Sequence, residues 1–306
     1  MAILVPCRRR WPLLAVVLFC SGLSMGVIED PAEFTYHSTT SEVRLNFSVT
    51  DQNNRGVATL QASDFAVVDK DVIVRNFQSF TRSDWTKLQI AILVDVSESV
   101  RPRFRQEMAD ILDLVSKTAA LPEENLSIIS FKGSQPGVLC AGDCRVSHAI
   151  ERLPANARGL TPLFDTIVYA ADFLVQHGDA HAEKILIVLS DGEDNLSGNS
   201  LGDTINASLR DEVQLDCVNV NKAGWSQGAV ALYKLASASG GRYFPPPGAA
   251  THALNAILEG FRASYTVTYR LPSHASGFHT VRILPTHNLN LQFRCRSGYY
   301  YPNQGR

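Results

Sequence analysis

The sequence predicts an α/β protein in which a doubly wound, mostly parallel sheet is inserted in, or flanked by, a small β-sandwich-like module. Three observations predict it. Two nearly continuous apolar runs, Leu88 to Val94 and Ile185 to Leu189, break abruptly into polar, acidic sequence, as strands buried on both faces do where they enter a loop. Strand-like and helix-like segments alternate five or six times from Leu88 to about Phe261. On either side of that stretch the pattern is short β runs without a helical stripe.

A chain of 306 residues with 45% hydrophobic positions has material for a sizeable core and more than one domain. The 28 basic and 30 acidic residues leave a net charge of -2, which gives no support to a general nucleic-acid binder.

Residues 1–26 read as an export signal: Arg8 to Arg10 precede the apolar run Trp11 to Cys20, and Ser24-Met25-Gly26 supplies the small residues a signal peptidase prefers. That run is too short for a stable crossing of ~30 Å, which disfavours a retained anchor. Bulky Phe19 disfavours lipid attachment at Cys20. Losing the signal removes three arginines and no acid, moving the charge from -2 to -5. The mature chain is expected to be periplasmic or extracellular, with cell-surface association left open.

Residues 27–84 form the first β segment, with strands at Val43 to Val49 and Val72 to Phe77 around the turn-rich Asp51 to Gly56. Residues 85–262 form the α/β domain. Its strand Leu88 to Val94 is followed by a helix from Arg103 to Thr118, whose Phe104, Met108, Ile111, Leu112 and Val115 mark one face. A strand at Leu126 to Phe131 leads to a short, mixed region from Pro136 to Arg152. The next helix runs from Pro162 to His177, with Thr161 placed as its cap and Pro162 as its first residue. Then come a strand at Lys184 to Ser190, a helix at Leu201 to Arg210, a strand at Val213 to Val220 and a helix at Ala229 to Ala238 closed by Gly240. A short strand at Gly241 to Phe244 and a helix at His252 to Phe261 complete the domain. Residues 263–306 return to β structure at Tyr265 to Tyr269, His279 to Ile283 and Leu289 to Phe293, and Tyr299 to Tyr301 suit edge packing. Neither flank has enough strands for a sandwich, so the two are expected to pack together; two separate appendages are the alternative.

Four cysteines remain after export. Cys140 and Cys144 can close a small loop in an oxidising compartment. Cys217 and Cys295 are buried thiols or a pair. The wide separation of the last two from each other and from the first pair argues against a four-cysteine metal site.

The chemistry lies in three pieces: Asp95, Ser97 and Ser99 after one strand, Thr161 before a helix, and Asp191-Gly192 after another strand. Taken alone, Asp95 with its serines is a turn cap and Thr161 a helix cap. Together, two carboxylates and three hydroxyls form an all-oxygen donor set, suited to a hard cation such as magnesium, with manganese or calcium also accommodated, and poorly suited to zinc. Hydroxyl ligands cancel little of the ion's charge, so it stays able to accept an outside oxygen.

This pattern, Asp-x-Ser-x-Ser with a distant Thr and a later Asp-Gly, resembles the metal-ion-dependent adhesion site of the von Willebrand factor type A domain, over about Leu88 to Phe261. The β flanks, the phrase Leu189-Ser190-Asp191-Gly192-Glu193-Asp194-Asn195 and the closing Gly298-Tyr299-Tyr300 are similar to bacterial von Willebrand factor A-related proteins. The resemblance implies that Ser97, Ser99 and Thr161 touch the ion, that Asp95 and Asp191 bind it directly or through water, and that a protein partner supplies a Glu or Asp carboxylate. It implies a non-enzymatic binding module. Asp165 and Asp194 are candidates for outlying charge near the ion or for plain solvent exposure.

Two other readings compete. A scaffold would use the ion to hold a loop without exchanging partners. A phosphatase of the haloacid-dehalogenase type would need an acid two positions after its nucleophilic aspartate; that position is Ser97, whose hydroxyl cannot shuttle protons near neutrality. The eight histidines are scattered, without an H-E-x-x-H motif.

Overall fold

The structure, a computed structural model, describes residues 42–83, 88–97, 125–133, 135–144, 160–179, 182–221, 226–246 and 263–301, together with 253, 256, 257, 260 and 261. The predicted export signal, the predicted helix from Arg103 to Thr118, Ser99, His148 and His181 lie outside the described residues.

The centre is a six-stranded sheet made of β5 (Leu88–Asp95), β6 (Leu126–Lys132), β7 (Gln135–Ala141), β8 (Glu183–Ser190), β9 (Val213–Asn219) and β10 (Tyr243–Phe244). Its order is β10-β9-β8-β5-β6-β7, parallel except for β7, which runs antiparallel to β6. The sequence pattern left β7 as mixed loop because Pro136 and Gly137 interrupt it. A proline is tolerated there because β7 is an edge strand. Cys140, near the end of β7, forms a disulfide with Cys144 just beyond it, with a Cα separation of 5.1 Å, while Cys217 and Cys295 are free.

Residues of β5 point alternately to two apolar clusters. Ile90, Ile92 and Val94 pack with Ala253, Ile257 and Phe261, whose backbone is helical. Ala91 and Leu93 pack with residues of α1 (Leu163–His177) and α3 (Gln227–Ser239), among them Ile167, Leu174, Leu232 and Leu235. Cover on both faces explains the uninterrupted apolar run. A third helix, α2 (Leu201–Arg210), begins at Ser200, whose hydroxyl accepts from the Asp203 N–H while the Asp203 carboxylate accepts from the Ser200 N–H. Helix α3 ends at Gly240 in the left-handed conformation, φ 87°.

Two four-stranded sheets combine strands from both ends of the chain. One has the order β13-β1-β11-β4, built from β1 (Glu42–Thr50), β4 (Ser79–Arg82), β11 (Ser264–Arg270) and β13 (Gln292–Cys295). The other, β14-β12-β2-β3, contains β2 (Phe65–Asp69), β3 (Val72–Val74), β12 (Gly277–Pro285) and β14 (Gly298–Tyr301). They share one apolar cluster including Leu45, Phe47, Phe65, Val67, Val267 and Ile283, with the Phe47 and Phe65 rings 5.1 Å apart. Period-two reasoning overlooked β2 because all five of its residues are buried, so it shows no alternation. The run predicted at Val72 to Phe77 stops at Val74, and that predicted at Leu289 to Phe293 is shifted to Gln292–Cys295.

Between these sheets lies a buried polar network that the sequence did not signal. The Tyr269 and Tyr299 hydroxyls donate to Asp69 Oδ2 at 2.9 and 2.6 Å, and His279 Nδ1 stands 3.3 Å from Asp69 Oδ1. Burial pushes both phenols well above their ordinary value, and the Asp69 charge adds to the shift. They therefore remain neutral donors.

Glu183, at the start of β8, accepts from the Ser83 and Thr266 hydroxyls and so ties the central sheet to the flanking strands. Burial raises its carboxyl above the ordinary value, against the pull of those two hydroxyls and Arg44. The folded chain therefore binds this proton more readily than the unfolded one, and stability falls as pH rises from the ordinary glutamate range through the raised value. Glu183→Gln should be more stable than the parent at neutral pH, with the gain shrinking toward pH 4; urea unfolding at several pH values measures it.

Candidate functional site

The chain leaves β5 toward β6 on one side and later leaves β8 toward β9 on the other, so β5 and β8 flank the point where strand order reverses. The crevice beyond the carboxyl ends of such a pair is where doubly wound sheets receive ligands. Asp95 is the last residue of β5, and Asp191 follows the last residue of β8.

The two ends are joined directly. Ser190 Oγ donates to Asp95 Oδ2 at 2.7 Å and accepts from the Gly192 N–H at 3.0 Å. The other Asp95 oxygen, Oδ1, accepts from the Ser97 N–H at 2.9 Å. Asp95 and Ser97 are 0% exposed, Thr161 2% and Asp191 4%.

Burial pushes the Asp95 carboxyl up to about 6, despite hydrogen bonds from Ser97 and Ser190 that favour its charged form; the Asp191 charge adds to the rise. Every group that counteracts the burial is a neutral donor. A carboxylate in this position gains from a nearby positive charge, which would restore its ionisation.

Thr161 is tied to the same loop by backbone contacts. Its N–H donates to Asn195 Oδ1 at 2.8 Å, and the Asn195 N–H donates to its carbonyl at 3.0 Å. The expected cap is corrected here: α1 starts at Leu163 with Pro162 in the capping position and no side-chain cap bond from it. Its first amides are met from the β8 loop, Phe164 by Asp194 Oδ2 and Asp165 by Ser197 Oγ. Thr161 is thus not needed as the helix cap.

Asp165 and Asp194 both bind loop backbone. Asp165 accepts from the Gly198 and Asn199 amides and the Asn199 side chain; burial opposes the shift, but these donors hold it below its ordinary value. Ser190 and Asn195 are the residues that sequence reasoning missed. Their position on either side of Asp191-Gly192 was the available signal.

The structure therefore places Asp95, Ser97 and Asp191 at the carboxyl ends of the neighbouring strands β5 and β8 and ties the Thr161 backbone to the loop after β8, while Ser99 lies outside the described residues. Among the described residues no group of three or more His, Cys, Asp or Glu side chains gathers to hold a metal. A cation here would rely on two carboxylates supplemented by hydroxyls. That oxygen-only set fits a hard divalent ion.

The fold and crevice define an α/β domain with an acidic, hydroxyl-bearing site at its switch point. Residues 90–193 match the family model described as von Willebrand factor type A domain, and this central part of the chain is a domain of that type. Such domains are generally non-enzymatic interaction modules, often metal-dependent. No curated protein matches the sequence. Among solved structures, an aerotolerance-related membrane protein from Bacteroides fragilis is similar at 15% identity and a TM-score of 0.44, with 57% of this chain and 98% of that one covered. BatB from Bacteroides thetaiotaomicron, a conserved hypothetical protein, is similar at 14% identity and a TM-score of 0.41, with coverages of 56% and 96%. Proximal thread matrix protein 1 from the mussel byssus, with a zinc-occupied metal-ion-dependent adhesion site motif, is similar at 13% identity and a TM-score of 0.46. That match covers 58% of this chain and 48% of the mussel chain. At such scores none of the three carries an argument about this chain.

Gly192 follows Asp191 for two physical reasons. Its φ is +82°, and a Cβ there would lie 2.2 Å from the Gly228 carbonyl oxygen in the first turn of α3. Gly192→Ala should therefore destabilise the fold by about 2 kcal/mol or more and loosen the loop that carries Asp191; urea unfolding checks the first effect and amide exchange across 190–197 the second.

Proposed function

We propose that this chain is an exported protein-binding module that recognises a partner's Glu or Asp carboxylate through a divalent cation held by Asp95, Ser97, Ser99, Thr161 and Asp191. The observation that carries the reading is the pairing of two buried acids, Asp95 and Asp191, at neighbouring strand ends, with only neutral groups offsetting the burial of Asp95. Magnesium suits the all-oxygen donor set best, and manganese or calcium would be tolerated. Bound there, the ion would supply a positive centre able to attract an outside carboxylate, and Asp95, Ser97, Ser99, Thr161 and Asp191 would hold it.

The proposed organisation places this domain, residues 85–262, within a β-sandwich-like module formed by residues 27–84 and 263–306. Pairing of β1 with β11 and β13 supports it. Export is supported by the charged, apolar and small-residue order of residues 1–26. No helix among the described residues is long and apolar enough to cross a membrane.

A second reading keeps the ion and drops the exchanging partner: a structural scaffold in which the cation staples loops together. The near-complete burial of Asp95, Ser97, Thr161 and Asp191 favours it. Both readings predict that magnesium raises the melting temperature of the parent and not of Asp95→Ala; an unchanged parent melting temperature contradicts both. They part in a pull-down from the exported fraction. The binding module captures a partner with magnesium and loses it with chelator or with Asp95→Ala, whereas capture that survives chelation overturns the adhesion reading.

A further inference from the structure

Away from the strand ends that carry Asp95 and Asp191, a cleft lies between the edge of the central sheet and the flanking sheets. The cleft has a volume of ≈ 960 Å³, and a neighbouring hollow of ≈ 470 Å³ shares Thr50 and Arg242 with it. Arg242, Arg282 and Arg294 line the larger part, Arg55, Arg82 and Arg242 the smaller, and among the described residues no Asp or Glu lines either.

The positive charge there is poorly compensated. Asp216, fully buried, accepts from the Arg242 N–H at 2.7 Å and from Gln214 Nε2 at 2.9 Å. Arg242 directs its own guanidinium to the Ala256 carbonyl at 2.7 Å. Arg294 lies near enough to repel Arg242, and both feel the charge of Asp216 without forming an ion pair to it among the described residues. The side chains of Arg55, Arg282 and Arg294 make no hydrogen bond or ion pair among the described residues. A further observation points to a missing ligand: Thr50, 5% exposed, lines both parts of the cleft, and its Oγ1 has no hydrogen-bond partner among the described residues.

The walls also suit an extended backbone. Among the described residues, strands β10 and β13 are terminal strands of their sheets, β10 paired only with β9 and β13 only with β1, and both contribute lining residues, Phe244 and Arg294 among them. Open strand edges accept a peptide through main-chain hydrogen bonds. A volume of this size exceeds what a single phosphate-sized anion would fill.

We infer that this arginine-lined cleft binds an extended acidic segment of a partner protein, with Arg55, Arg282 and Arg294 meeting its carboxylates and the Thr50 hydroxyl a further oxygen. This site is independent of the divalent cation.

Fluorescence anisotropy of a labelled octaglutamate peptide, titrated with the full chain in chelator at low salt, tests it. Binding should occur without divalent ions and weaken with salt. Arg55→Glu combined with Arg282→Glu, both at exposed positions, should raise Kd at least about tenfold, with melting temperature and circular dichroism confirming that the variant folds. Three results would overturn the inference: no binding of octaglutamate, equal binding by the double variant, or equally tight binding of octaglutamine. Charge-sensitive binding of pyrophosphate without binding of the peptide would also overturn it, assigning the cleft to a small anion. Because the assay excludes divalent ions, its failure leaves the cation reading untouched, and failure of that reading leaves this one standing.

Discussion

Two carboxylates, Asp95 and Asp191, are held at adjacent strand ends with 0% and 4% exposure, and the cost of keeping negative charge there organises the functional end of the molecule. A buried acid can be neutralised by protonation, by neutral hydrogen-bond donors or by a cation. The protein supplies the second in part: Ser97 and Ser190 satisfy both oxygens of Asp95, yet its affinity for a proton stays well above the ordinary aspartate range. The remaining deficit is electrostatic, and it is the physical reason behind the proposal of a cation there.

The loop after β8 joins the parts of that end. Within it, Ser190 reaches β5, Gly192 packs against Gly228 of α3, Asn195 clasps the Thr161 backbone, and Asp194 and Ser197 meet the first amides of α1. One short segment thus connects two strands, two helices and the proposed ligands. The arginine-lined cleft belongs to different elements, β10, β12, β13 and the turn after β1, so the two surfaces can be altered separately.

Much of the central architecture was legible because its strands are buried on both faces and its helices carry apolar stripes. Leu88 to Val94 and Lys184 to Ser190 announced β5 and β8, and Leu201 to Arg210 matched α2 in full. Asp95, Ser97 and Asp191 were legible as a motif, but the bonds that bring them together were not, since Ser190 and Asn195 act across long separations in the chain. The flanks were harder. Phe65 to Asp69 lacks alternation because every residue is buried, and Pro136 masks a strand that exists only because it has an edge to occupy. Asp69 and its tyrosine partners join residues 200 and 230 positions apart, a distance at which no local pattern signals contact.

The most direct test of the central assignment is crystallography of the full chain soaked in manganese, using anomalous scattering to locate the ion. The account predicts one ion beyond the ends of β5 and β8, within direct or water-bridged reach of Asp95, Ser97, Ser99, Thr161 and Asp191, with one coordination position open or filled by an outside carboxylate. An ion bound elsewhere, or a crevice that stays empty at saturating manganese with Thr161 and Asp191 out of reach of the Ser97 loop, would contradict it.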